Sequence, residues 1–167
     1  DPRNEDIMYA ATWQRHRTVA ALMGGGPESG LHRSEDGGET WTELKSGLPN
    51  YAGKIGFTLS PQKPDVLYAA IELEKRNGAV YKSEDRGSSW KKMSDLSLGY
   101  GTGPHYYQEL FASPHKFDRL YLMNVRILTS EDGGKTFVEL TERSKHSDNH
   151  AIAFREDDPN YLLVGTD

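Results

Sequence analysis

Two imidazoles and a carboxylate alternate in His146-Ser147-Asp148-Asn149-His150. In an extended segment, residues 146, 148 and 150 fall on one side. That donor set suits zinc or another divalent ion. The alternative is a polar loop in which Asp148 orients one histidine or caps a turn. A second cluster, His105-Tyr106-Tyr107-Gln108-Glu109, also precedes an apolar stretch. His105, Tyr106 and Tyr107 beside a carboxylate suit binding of a sugar or peptide. Their other use is inter-strand packing with the phenol hydroxyls solvated. A third candidate is the long segment from Trp13 to Ser29, where Arg15, His16 and Arg17 form a basic start ahead of Gly24-Gly25-Gly26. Arg15 and Arg17 are ligand-binding candidates there, on a segment expected to be a mobile loop or a lid. Gly-Gly-Gly-Pro is not a phosphate loop, because the Gly-Lys-Ser/Thr that would follow is absent. No Ser/His/Asp arrangement has a recognisable local context, so no catalytic residue is assigned.

What must position these clusters is a repeat. Three octapeptides match: Ser34-Glu35-Asp36-Gly37-Gly38-Glu39-Thr40-Trp41, Ser83-Glu84-Asp85-Arg86-Gly87-Ser88-Ser89-Trp90 and Ser130-Glu131-Asp132-Gly133-Gly134-Lys135-Thr136-Phe137. Asp36, Asp85 and Asp132 are separated by 49 and 47 residues. That period matches the ~40–50 residues of a four-stranded propeller blade. Flanking segments repeat in step. Ile55-Gly56-Phe57-Thr58-Leu59, Glu109-Leu110-Phe111-Ala112 and His150-Ala151-Ile152-Ala153-Phe154 form one set. Asp6-Ile7-Met8-Tyr9-Ala10, Asp65-Val66-Leu67-Tyr68-Ala69, Asp118-Arg119-Leu120-Tyr121-Leu122 and Asn160-Tyr161-Leu162-Leu163-Val164 form the next. A third set runs into each octapeptide, and a short fourth strand follows its aromatic residue.

Short apolar strands bounded by Gly, Pro, Asn and Asp argue for antiparallel sheets, and no window keeps a 3.6-residue period. With the strands of a blade named A to D, the chain runs B-C-D, A-B-C-D, A-B-C-D, A-B. The expected fold is all-β: a propeller segment of about three and a quarter blades, about thirteen short strands, with the ring not closed in this chain. Residues 1–167 form one segment, with blade parts 1–47, 53–96, 105–142 and 148–167. The terminal strands are expected to leave open edges that recruit partners, so the isolated chain should self-associate.

The octapeptide chemistry is local. Asp36, Asp85 and Asp132 accept hydrogen bonds from their own turns, with Ser34, Ser83 and Ser130 at the strand ends. Gly38, Gly87 and Gly134 supply positive φ, and Trp41, Trp90 and Phe137 return aromatic area to the sheet. The acidic character suggests calcium, but the ligand series of an EF-hand loop is missing. No cofactor is expected from any motif; the divalent ion considered for His146, Asp148 and His150 is the one exception.

Composition limits the partners. The 167 residues carry a net charge of −5, and 35% are hydrophobic. This suffices for a packed core, whereas nucleic-acid binding needs clustered cations. No apolar run approaches the ~20 residues that span a bilayer. Cysteine is absent, so no disulfide framework exists. The start at Asp1-Pro2, without Met or a signal peptide, suggests a mature, trimmed or excised segment. Glu72-Leu73-Glu74-Lys75-Arg76 and Glu156-Asp157-Asp158 are expected to be solvated hairpin ends.

The octapeptides resemble Asp boxes, or BNR repeats, of pattern S-x-D-x-G-x-T-W. These occur in sialidases, xyloglucan-degrading hydrolases, sortilin-type receptors and photosystem assembly factors. Over nearly the whole chain there is a closer resemblance to large bacterial sortilin-like exported proteins often labelled glycosyl hydrolases. It is carried by Tyr9-Ala10-Ala11-Thr12-Trp13-Gln14-Arg15, Gly24-Gly25-Gly26-Pro27-Glu28-Ser29-Gly30-Leu31, His146-x-Asp148-x-His150-Ala151-Ile152 and Asp158-Pro159-Asn160. The resemblance implies a larger bacterial protein, secreted or periplasmic, whose remaining blades, or another chain, complete the ring. It implies a scaffold or binding module that recognises a peptide, protein or glycan at the channel face. The alternative is a segment of a glycoside hydrolase. Two departures stand against a sialidase: Arg-Ile-Pro is absent, and the arginines form no recognisable triad. No acidic pair of the kind glycoside hydrolysis uses is identifiable from sequence.

Overall fold

The structure, a computed structural model, describes residues 1–97, 106–141 and 144–167. Every regular element in it is a strand, apart from one 3-10 turn at Glu74–Arg76. The first sheet joins β1 (Met8–Thr12), β4 (Gly30–Ser34) and β5 (Thr42–Leu44), with a small hairpin of β2 (His16–Arg17) and β3 (Leu22–Met23) inserted between β1 and β4. Two four-stranded meanders follow: β6 (Ile55–Leu59), β7 (Leu67–Glu72), β8 (Asn77–Ser83) and β9 (Lys91–Ser97), then β10 (Leu110–Ala112), β11 (Leu120–Leu122), β12 (Leu128–Ser130) and β13 (Val138–Glu139). The last sheet pairs β14 (Asn149–Phe154) with β15 (Leu162–Thr166). All strand pairings among the described residues are antiparallel, and all but β1–β4, which spans the inserted hairpin, join consecutive strands. The order is B-C-D, A-B-C-D, A-B-C-D, A-B, and the two strands beyond the expected thirteen are β2 and β3.

Period-2 side-chain alternation explains the stacking. Along β7, Leu67, Ala69 and Ile71 join Leu31, Leu44 and Trp90 on one side. Tyr68 and Ala70 join Val80, Leu110, Leu120 and Leu122 on the other. Both faces of this strand are buried because a sheet lies against each, so it is apolar without a break until Glu72. Among the described residues the last sheet has a neighbour on one face only. Ile152, Phe154, Leu162 and Val164 pack against Tyr121, Met123 and Ile127, while Leu163 is exposed.

The three octapeptide turns share one hydrogen-bond pattern. The buried Ser34, Ser83 and Ser130 hydroxyls donate to Oδ1 of Asp36, Asp85 and Asp132 at 2.7, 2.8 and 2.9 Å. They accept the N–H of Gly38, Gly87 and Gly134 at 2.8, 2.8 and 2.9 Å. Thr40, Ser89 and Thr136 donate both N–H and hydroxyl back to the same carboxylates. Gly38, Gly87 and Gly134 hold φ of 94°, 83° and 90°, the left-handed region a side chain avoids.

Candidate binding face

Antiparallel register places function-bearing segments at one end of the blades. The starts of β6, β10 and β14 pair with the ends of β7, β11 and β15: Ile55 with Ile71, Leu110 with Leu122, Asn149 with Thr166. The segments ahead of each A strand and the loops between strands B and C therefore share one end, here the upper face. The octapeptides, between strands C and D, lie at the opposite end.

On the upper face the β2–β3 hairpin of the first sheet reaches the third. The Arg17 guanidinium donates to the Tyr106 hydroxyl at 3.3 Å. Arg15 lies over the Trp13 ring at 5.2 Å, with Lys54 Nζ 5.9 Å from the same centroid. The Trp13 indole N–H donates to the Gly24 carbonyl at 2.8 Å. Gly24-Gly25-Gly26 is not the loose hinge its composition suggests. A Cβ on Gly25 would stand 2.6 Å from the Ala52 carbonyl oxygen, and one on Gly26 2.0 Å from Gln14. The glycines are needed for close approach, and Gly26 bridges to Ala52. The base of the hairpin is therefore clamped.

Tyr107 and Tyr106 behave differently. Tyr107 is buried; its hydroxyl donates to Asp148 Oδ1 at 2.8 Å and its ring stacks on His150 with centroids 5.0 Å apart. Tyr106 is exposed. His105 lies outside the described residues. His146 Nδ1 is 3.9 Å from Asp148 Oδ2, and His150 Nε2 is 3.3 Å from Asp167 Oδ1. Among the described residues no three His, Cys, Asp or Glu side chains gather as a metal would require. Asp148 has φ of 65°, so the segment is not regularly extended there, as the expected row of donors requires.

Lys54 carried no signal in sequence, while Gln108, Glu109 and Glu72 stood in polar runs with no individual role assigned to them. Gln108 donates from Nε2 to the carbonyls of Lys54 and Ala70, each at 2.8 Å. Lys54 Nζ pairs with Glu109 Oε1 at 2.6 Å. Glu72, expected to be a solvated hairpin end, is half-buried, and its carboxylate accepts the Lys54 N–H at 3.1 Å. Its place at the end of an otherwise apolar strand is the signal that could have marked it. Glu72 and Glu109 thus flank Lys54, a carboxylate arrangement that no spacing rule reveals because the two come from different blades.

No family model matches the chain. Over 131 residues, 67% of the chain, it is 27% identical to a xyloglucanase of Hypocrea jecorina, of which that match covers 15%. The structure superposes on the GH74 xyloglucanase from Xanthomonas campestris with a TM-score of 0.64 at 17% identity, over 98% of this chain and 27% of that one. The chain is part of a β-propeller. An ancestral GH74 enzyme gives a TM-score of 0.56 at 19% identity, over 74% of this chain and 17% of that one. The propeller segment spans about a quarter or less of the length of these relatives. Among the described residues no helix is long and apolar enough to cross a membrane.

Proposed function

We propose that this chain is a segment of a larger, exported bacterial propeller that binds a glycan at its upper face, with further blades completing the ring. The single observation that carries this reading is the convergence of Arg17, Tyr106, Tyr107 and His150 from three sheets at the end opposite the octapeptide turns. An exposed aromatic beside fixed donors suits a sugar, which offers hydroxyls and apolar C–H faces together. The likeness to xyloglucanases supports a β-linked glucan as the first ligand to try. Calorimetric titration of the full-length protein with xyloglucan oligosaccharides tests it. Tyr106→Ala and Arg17→Ala should each weaken binding several-fold. Absence of binding across a glycan panel would sink the proposal in favour of a peptide ligand or a bare scaffold.

The second reading is a glycoside hydrolase segment, favoured by the carboxylates of Glu72 and Glu109 on either side of Lys54. Such enzymes use two carboxylates around one glycosidic bond. Reducing-end release from xyloglucan by the full-length protein, abolished by Glu109→Gln, would establish it.

A further inference from the structure

Neighbouring blades are joined on the upper face by a buried side-chain amide at the start of the later blade. Between the third and fourth sheets this is Asn149. Its Nδ2 donates to the carbonyls of Asn124 and Val125 at 2.9 and 3.0 Å, and its Oδ1 accepts from Lys145 Nζ. Both ends of the amide are satisfied. Between the second and third sheets the clamp is Gln108, 2% exposed, whose Nε2 makes the matching pair of bonds. Its Oε1 is shut off from solvent and has no partner among the described residues. The next residue repeats the deficit. Glu109 Oε1 is held by Lys54, but Oε2 is buried and unpartnered. Gln108 also holds φ of 92°, a region side-chain-bearing residues rarely adopt.

Buried acceptors are normally paired, so each exception calls for a cause. The seam itself does not supply one, since Asn149 achieves the same clamp with every polar atom used. Strained backbone gathers where a ligand is handled. We propose that Glu109 Oε2 is completed by a hydroxyl of a bound saccharide, which makes Glu109, with Lys54 beside it, a specificity-determining subsite at the blade seam.

This deepens, and rests on, the glycan reading above. The chemistry selects a neutral hydroxyl donor. An anion has no proton to give to the carboxylate, and an ammonium ligand would meet the Lys54 ammonium 2.6 Å from Glu109 Oε1. A sugar hydroxyl donates without bringing charge. The Glu109 side chain is one-third exposed, so a ligand can reach it from solvent with a small rotation of the carboxylate.

The test is titration of the full-length protein with xyloglucan heptasaccharide and cellohexaose, read by calorimetry and by the 13Cδ shift of Glu109 in glutamate-labelled protein. Glu109→Gln should weaken binding about tenfold or more, the usual effect of losing a charged acceptor. The wild-type Glu109 signal should move on saturation. If Glu109→Gln fails to fold, the wild-type shift alone decides. Equal affinities with an unmoved Glu109 signal would overturn the subsite and leave the glycan reading standing. A crystal of the saccharide complex with only an ordered water at Glu109 Oε2 would do the same. No saccharide binding by the wild type would overturn both.

Discussion

Trp41 and Trp90 occupy the same position in two octapeptides, and each indole N–H donates to the carbonyl of the glycine three residues earlier, at 2.9 and 3.0 Å. Yet Trp41 is 42% exposed and Trp90 6%. The difference lies in what stands in front. Trp90 joins Leu31 and Leu44 of the sheet ahead of it, and its N–H donates to the Ser46 carbonyl at 2.9 Å. Phe137 likewise packs towards Val80 and Leu96 of the sheet ahead of it. The second and third octapeptides thus pack their aromatic residues against the preceding blade. Among the described residues no sheet lies ahead of the first one. The turn is a local device, and the burial is a property of the stack.

The largest expected effect separates the two tryptophans. Trp90→Ala should destabilise the chain by about 3–5 kcal/mol, the range for truncating a buried aromatic residue. Trp41→Ala should cost about 1 kcal/mol, since half-exposed residues lose little transfer free energy. Denaturant melts of the two variants give both numbers, and equal losses would break the comparison. It sharpens in a longer protein: if a blade precedes this segment, as proposed, Trp41→Ala there should approach the cost of Trp90→Ala.

A smaller effect should be the same in all three turns. Ser34→Ala, Ser83→Ala and Ser130→Ala each remove a buried hydroxyl that accepts a glycine N–H and donates to the aspartate. Leaving a buried donor unpaired costs about 1–3 kcal/mol. Because the interaction is local, position in the stack should not matter. A loss at Ser83 several times that at Ser34 would show that the turn depends on the neighbouring blade.

Acid reads the same turns through their carboxylates. The hydroxyl and N–H of Thr40, with the Ser34 hydroxyl, hold Asp36 down to about 2 from 3.8. The Thr136 N–H and hydroxyl do the same to Asp132, also about 2. A carboxyl whose folded pKa lies below its unfolded value stabilises the fold above the unfolded value. That stability is lost as pH falls from about 4 to about 2. Carboxyl titration by NMR checks this, and native-state midpoints near 3.8 for both residues would contradict it.

The fold was legible because its repeat is local. Octapeptide spacing and period-2 strands specify the blade order, and the additional β2–β3 hairpin escaped only because it is two short strands in a glycine-rich insertion. The upper face was less legible. Arg17 and Tyr106 were candidates, but their meeting depends on a reach across sheets that no periodicity encodes. The expected row of His146, Asp148 and His150 depends on Asp148 being extended, and that residue turns left-handed instead. Lys54 was hidden, and Gln108 and Glu109 stood in the second cluster without roles of their own, for the opposite reason: ordinary polar types, made special only by burial at a seam.

The smallest effect concerns a backbone position where the second octapeptide departs from the other two. Gly37 and Gly133 hold φ of 72° and 71°; Arg86 stands at the same position with φ of 59°. A residue with a Cβ pays roughly 1 kcal/mol or more there. Arg86 also pairs with Asp65 at 2.7 Å on the surface, and its carbonyl accepts from Tyr9 and Arg33. Those carbonyl bonds survive any substitution, and the exposed ion pair contributes at most about 1 kcal/mol. Arg86→Gly trades strain relief against loss of that pair and a freer unfolded chain, so its net effect should be within about 0.5 kcal/mol of zero. Arg86→Ala loses the same pair but keeps the strained φ. The glycine variant should therefore exceed the alanine variant in stability by about 1 kcal/mol. Because both variants lack the guanidinium, that difference isolates the backbone. An alanine variant as stable as the glycine variant would mean that the turn, not the residue, sets φ at no cost, and that the second octapeptide is not strained relative to its neighbours.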